Sequence, residues 1–190
     1  MFSRTERLLL RPGWAEDAPA LHAAIADEAI VRNLSTAPWP YSIGDAEAFL
    51  ARERNEALPE FLMFLRTRGT PHLVGGCAIV DGDHGKRELG YWIARPYWGL
   101  GFATEAASAV MRIARSSGIG NITASHFADN PASGRVLCKI GFRPTGRVEK
   151  RYSLARGEDA DCVLFEDGGV IPMRPDPSLD LYRDRVLQAA

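Results

Sequence analysis

The stretch Trp98-Gly99-Leu100-Gly101-Phe102-Ala103-Thr104-Glu105-Ala106 constrains this chain more than any other. Before it, Glu88-Leu89-Gly90-Tyr91-Trp92-Ile93 reads as a strand; after it, Ala106, Ala107, Val110, Ile113 and Ala114 recur at helical spacing, predicting a helix from Ala103 to about Ser116. Two glycines in the junction strip side chains from the backbone. The turn's N–H groups then face whatever sits over the helix start, where the dipole favours an anion. Two readings stand: a tight turn with no ligand, or a cradle for a phosphate-bearing molecule. It is not a dinucleotide fingerprint, because Thr104 stands at the third glycine position and no acid lies within 121–125, and the Gly-Lys-Ser/Thr of a P-loop is absent.

The rest of the chain reads as one α+β domain. Its 190 residues, 46% of them hydrophobic, suit a single domain with a real core. A net charge of -1 argues against a general nucleic-acid binder. Cys77, Cys138 and Cys162 are too few and too scattered for a disulfide framework or a zinc site, and are expected as buried thiols with no metal. Met1–Arg7 lacks the apolar core of a signal peptide and no apolar run reaches membrane-span length, so a soluble cytoplasmic protein is expected.

Strands are predicted at 8–10, 60–66, 73–81, 86–94, 121–127, 142–148 and 161–165, with a bulge at Gly75-Gly76 and a polar loop between the last two. Helices are predicted at 15–29 and at 44–57, the second opened by a Ser42/Asp45 capping box. A loop holding Pro38, Trp39 and Pro40 separates them. Asn130-Pro131 opens a further helix, with Val136, Leu137 and Ile140 as its buried face and Gly141 as its stop. A tail from Asp167 carries a candidate helix at 179–187. Antiparallel strands with one late strand–helix–strand unit give a mixed sheet flanked by helices.

Asp129-Asn130-Pro131-Ala132-Ser133-Gly134-Arg135-Val136-Leu137-Cys138-Lys139-Ile140-Gly141-Phe142 lies one strand beyond the glycine turn. Together the two segments resemble the GNAT superfamily of acyl-CoA N-acyltransferases. Trp98–Ala103 fits its Gln/Arg-x-x-Gly-x-Gly/Ala pattern, with Trp98 in place of the first residue. The second segment resembles the branch of ribosomal-protein N-terminal acetyltransferases, as do Thr5–Pro12, Pro38–Tyr41 and Glu88–Ile93. The resemblance spans residues 5–166 and leaves 167–190 uncovered.

The resemblance implies a GNAT fold that moves an acetyl group from acetyl-CoA to a primary amine, on a protein N-terminus or a small molecule, as a monomer or homodimer. Its alternative is a CoA-binding sensor or scaffold that has lost catalysis. It also implies site roles. Backbone amides from Trp98, Gly99, Leu100, Gly101, Phe102, Ala103 and Thr104 would hold the pyrophosphate. Trp92, Ile93 and Ala94 would pair their backbone with the pantetheine, and an amide near Ile93 would face the oxyanion. Asn130 would reach the same arm or merely cap its helix. Ser133 would steer or protonate the thiolate, or simply face solvent. Lys139 and Arg135 would meet the 3′-phosphate or water. An attacking amine of pKa about 8 to 10 must lose a proton. Glu88 is the first candidate base, against an ion pair as its structural role; His126 and Tyr152 follow. Trp39, Tyr41 and Trp92 are candidates for an acceptor pocket.

Overall fold

The computed structural model describes residues 1–169 apart from 68, 83 and 84. The predicted helix at 179–187 lies outside the described residues, as does the centre of the turn at 82–85. Eight strands form one sheet in the order β1-β2-β3-β4-β5-β6-β8-β7. They are β1 (Ser3–Arg4), β2 (Leu8–Arg11), β3 (Glu60–Leu65), β4 (His72–Asp81), β5 (Arg87–Ile93), β6 (Ile122–Phe127), β7 (Phe142–Ser153) and β8 (Glu158–Asp167). Every pairing is antiparallel except β5 with β6. Three short helices, α1 (Ala18–Ile25), α2 (Glu28–Val31) and α3 (Ile43–Ala51), cover one face through a core of Leu21, Ile30, Leu50, Leu62 and Phe64. On the other face α4 (Phe102–Ser116) and α5 (Pro131–Lys139) bury Ala106, Val110, Met111 and Leu137 against Met63, Val74 and Leu89. Among the described residues no helix is long and apolar enough to cross a membrane.

Local chemistry explains where the elements depart from the sequence reading. The predicted helix at 15–29 is a 3-10 turn followed by α1 and α2. Asp27 breaks it, because its side chain accepts from the Ala29 N–H and starts a new turn. The Ser42/Asp45 capping box forms, but α3 stops at Ala51 rather than near 57. Beyond Leu50 no apolar residue continues the buried stripe, and Arg52 donates to the Phe49 carbonyl while pairing with Glu60 at 2.8 Å. The expected polar loop at 149–160 is mostly strand. Val148 through Ser153 pair with Val163 through Glu158, and a bulge after Pro144 absorbs the residues that cannot extend the ladder. This hairpin lies at the sheet edge, so neither of its faces carries the apolar alternation that marks a strand.

Two further features position the site. β4 carries an extra residue at Val74, since Met63 faces Gly75 while Phe64 faces Leu73. Next to it a side chain on Gly75 would strike the Trp92 carbonyl, and one on Gly76 would come within 2.6 Å of the Trp92 indole. Glycines here let β5 close tightly on β4 with the Trp92 ring laid across. Cys77 and Cys162 are buried, but Cys138 is exposed, contrary to the expectation of three buried thiols. The outward side of α5 carries it, while Leu137 takes the buried position.

Candidate functional site

β5 and β6 run parallel for only three pairs, Arg87–Leu89 against Ile122–Ala124. Beyond Leu89, β5 stays paired with β4, while β6, paired with β8 from Thr123 to Phe127, no longer pairs with β5, so the two strands splay. The amide of Ala94 donates to the Val74 carbonyl of β4 at 2.9 Å. Backbone groups alternate sides along a strand, so Ile93 and Tyr91 present theirs to the open gap. Ala94 is buried with its amide committed to β4, and therefore gives nothing to the gap. Tyr91, rather than Ala94, shares this edge with Ile93. The Ile93 carbonyl already accepts from the Trp98 indole N–H at 2.6 Å.

The gap opens onto the glycine turn. Gly99 and Gly101 have φ of +78° and +82°, a region that side chains disfavour. A Cβ on Gly99 would touch nothing within 4 Å. The first intrahelical bond of α4 runs from the Glu105 N–H to the Gly101 carbonyl. The amides of Gly99, Leu100, Gly101, Phe102, Ala103 and Thr104 donate to no described residue. A row of unspent N–H groups at the N-terminus of a 15-residue helix is an arrangement that favours an anion. It is held from behind: Glu105 accepts from Thr5 Oγ1, the Arg7 amide and Arg7 Nε at 2.5, 2.8 and 2.7 Å, and Arg7 Nη1 donates to the Leu100 carbonyl. Burial works against the Glu105 charge, but these hydrogen bonds and the guanidinium outweigh it and hold the carboxyl below its ordinary value.

A cleft of about 1230 Å³ runs from this turn through the gap to the face beneath α1–α3. That exceeds the volume of a typical single-ligand pocket, roughly 300–1,000 Å³. The described sequence matches a family pattern for an acetyltransferase (GNAT) domain over residues 7–143. It is 31% identical over 169 residues to the uncharacterized N-acetyltransferase YoaA of Bacillus subtilis, covering 85% of this chain and 93% of that protein. This chain belongs to the GNAT acetyltransferase family. Over a shorter stretch of 87 residues it is 34% identical to the ribosomal protein uS5-alanine N-acetyltransferase of Escherichia coli, 45% of this chain and 44% of that one. A solved structure of RimL, a ribosomal L7/L12 alpha-N-protein acetyltransferase in complex with coenzyme A, aligns with a TM-score of 0.71. Its identity is 19%, covering 88% of this chain and 99% of RimL. The chain is thus an acetyl-CoA-dependent acetyltransferase, and the GNAT fold expected from the sequence is the fold observed.

Within this GNAT cleft the structure gathers most of the residues picked out in the sequence. Trp92, Ile93, Trp98, Gly99, Gly101, Phe102, Ala103, Thr104, Asn130, Ser133 and Lys139 line it, with Glu88, His126, Tyr41 and Arg135. Trp39, Leu100 and Tyr152 do not; Pro38 and Tyr41 take the place expected of Trp39. Asn130 caps α5, its side chain accepting from the Ser133 N–H. Ser133 Oγ lies 2.9 Å from the Tyr91 hydroxyl, which also reaches the Ser133 carbonyl at 2.9 Å. Burial pushes the Tyr91 phenol up, and the contact with Ser133 only partly offsets it, so Tyr91 stays protonated.

Glu88 Oε1 accepts from Ser125 Oγ at 2.7 Å and Arg151 Nη1 at 2.6 Å, and the same Nη1 lies 2.9 Å from Ser125 Oγ. His126 Nδ1 bonds the Phe127 carbonyl at 2.8 Å; a carbonyl only accepts, so Nδ1 carries the hydrogen and the neutral ring keeps Nε2 as an acceptor. A Cβ on Gly134 would come within 2.6 Å of that Nε2, so the first turn of α5 seats the imidazole. Sequence reasoning missed Tyr91, Ser125 and Arg151. Tyr91 reads as an ordinary member of an apolar run, and Arg151 lies in a segment read as loop, with no local signal that it crosses β8 to reach β5.

Proposed function

We propose that this enzyme transfers acetyl from acetyl-CoA to a primary amine by direct attack, with both substrates in the cleft at once. The acceptor is a peptide N-terminus or a small amine. The observation that carries the reading is the row of unspent amides from Gly99 to Thr104 opening directly into the β5–β6 gap. The thioester supplies an activated acetyl group; the protein binds it, orients it and manages protons. Gly99–Thr104 would hold the pyrophosphate, and the outward backbone of Tyr91 and Ile93 would pair with the pantetheine amides as one strand pairs with another. Lys139 would lie near the 3′-phosphate.

Glu88 would take the amine proton, through a water where needed, with His126 Nε2 as the second acceptor. Ser133 would give a hydrogen bond to the leaving sulfur when the Tyr91 hydroxyl turns its own hydrogen from the Ser133 carbonyl to Ser133 Oγ. Direct attack needs no protein nucleophile, and burial pushes up the thiols of both cysteines that line the cleft, Cys77 and Cys162. Unpaired cysteines suit a reducing compartment, in keeping with a cytoplasmic enzyme.

The test is Gly101→Val. Valine at a φ of +82° is strained and its Cβ would stand 3.5 Å from Arg7 Nη2, so it would distort the turn whose amides would hold the pyrophosphate. Acetyl-CoA affinity by titration calorimetry should fall at least about tenfold, the loss of one charge-assisted hydrogen bond being worth about 1.5–3 kcal/mol. Circular dichroism should match the parent. Unchanged affinity in a folded variant would place the cofactor elsewhere.

A further inference from the structure

Tyr41 is 7% exposed, packs in the core beneath α1–α3, and lines the cleft. Its hydroxyl bonds to no described residue, yet no fully buried side-chain oxygen or nitrogen among the described residues lacks a partner. The hydroxyl oxygen is therefore not wholly enclosed, and the cleft that Tyr41 lines is beside it. Burial first, and the Asp45 carboxylate after it, push the phenol up to about 12, so it keeps its hydrogen. Its charged neighbours are already committed. Asp45 accepts from the Ser42 amide and hydroxyl at 2.8 and 2.5 Å, and Arg52 donates to the Phe49 carbonyl and Glu60. Tyr41 is thus a donor, nearly enclosed by protein, with no protein acceptor among the described residues, so its hydrogen is available to a ligand that supplies one.

The surroundings define the size of that ligand. Ala78 sits opposite Gly90 and Gly76 opposite Trp92, so these positions share one face of the sheet with Glu88. A Cβ on Gly90 would meet nothing within 4 Å, leaving a hollow between Glu88 and Trp92. The Leu154 amide donates to the Ser35 carbonyl at 2.9 Å, and Arg156 ties the Arg32 carbonyl to Asp129. Ser35 and Leu154 both line the cleft, so two of its lining segments are bonded to each other. A hollow left by one missing side chain, with one donor beside the same cleft, suits a compact molecule better than a polypeptide.

We propose that Tyr41 is an acceptor-specificity residue. It donates its hydroxyl hydrogen to an oxygen atom carried by a small primary amine, the class that contains amino acids and amino alcohols. The inference rests on the acetyl-transfer reading above and narrows its acceptor. The test is steady-state kinetics on acceptor pairs that differ by one oxygen-bearing group: amino alcohols against alkylamines, and amino acids against their decarboxylated amines. An N-terminal decapeptide is run beside them, for the parent and for Tyr41→Phe.

The parent should prefer the oxygen-bearing partner by about tenfold in kcat/KM, as one hydrogen bond allows. Tyr41→Phe should bring that preference close to one, raising the acceptor KM while the KM for acetyl-CoA is unchanged. It should melt no lower than the parent, since a hydroxyl without a protein partner adds nothing to the fold. A preference that survives Tyr41→Phe, a melting point lowered by several degrees, or a decapeptide that outcompetes every small amine would each overturn the assignment. If the parent acetylates amines without regard to the oxygen, only the role of Tyr41 fails. If it binds acetyl-CoA and acetylates no amine, the transfer reading fails and the subsite with it.

Discussion

Two donors converge on one oxygen of Glu88, and both depend on the sheet beyond it. Ser125 comes from β6 and Arg151 from β7, so the carboxylate is oriented by residues far apart in sequence. The hydrogen bonds that Glu88 accepts from Ser125 Oγ and Arg151 Nη1 both fall on Oε1, and Glu88 lines the cleft. A base must be held within hydrogen-bond reach of the proton it takes, and a fixed carboxylate at the edge of the Gly90 hollow meets that need. Glu88→Gln keeps the shape and removes the basic oxygen. We expect kcat to fall about 100-fold, within the roughly 10²–10⁴ attributed to a positioned base, with acetyl-CoA affinity unchanged. Stopped-time acetylation assays and calorimetry on the same preparation read the two effects apart. A kcat near the parent value would move the proton to His126 Nε2, for which His126→Gln is the matching variant.

At the level of the element, α4 works because its first turn is tied to the opening strands. Glu105 lies where an acid already favours the helix dipole, and it collects two donors from Arg7 and one from Thr5. The Arg7 ring contact with Phe102, at 4.4 Å from guanidinium to ring centroid, closes the same corner. Since Arg7 also holds the Leu100 carbonyl, the clamp fixes the amides of the turn as well as the helix. The Glu105 carboxyl is held below its ordinary value in the fold, so its contribution is full above the unfolded value of about 4.3. That contribution drains away as pH falls through the lower folded value. With a side chain only 16% exposed, Glu105→Gln should cost about 1–2 kcal/mol in urea denaturation at neutral pH. The gap between variant and parent should close as pH drops below about 4. Acetyl-CoA affinity should weaken in parallel, because the turn loses its backing. A variant as stable as the parent at pH 7 would show the clamp to be ornamental.

Across the whole molecule, what the sequence discloses and what it hides divide by range. The glycine turn, the Ser42/Asp45 box and the Asn130-Pro131 start are set by residues within a few positions, and each was readable locally. The pairing of Arg151 with Glu88, 63 residues apart, depends on the register of the edge hairpin, which no local pattern encodes. So does the ion-pair knot where Asp129 at the end of β6 meets Arg156 from the β7–β8 turn and Arg32 from the end of α2. Hydrogen bonds from Arg156, and the two guanidinium charges, hold Asp129 below the usual carboxylate range against a smaller opposing effect of burial. The side chain is 48% exposed, so water screens much of this. Asp129→Asn should therefore shift overall stability by no more than about 1 kcal/mol. Its effect should be local: hydrogen exchange at the Leu154 amide, which bonds to Ser35, should quicken markedly while amides of β4 and β5 keep the parent rate. Mass-resolved exchange on peptides covering 148–160 and 72–93 separates the two regions. Equal rates at Leu154 in both proteins would mean that this junction stands without its charges, and that the backbone bonds alone join the helical layer to the hairpin.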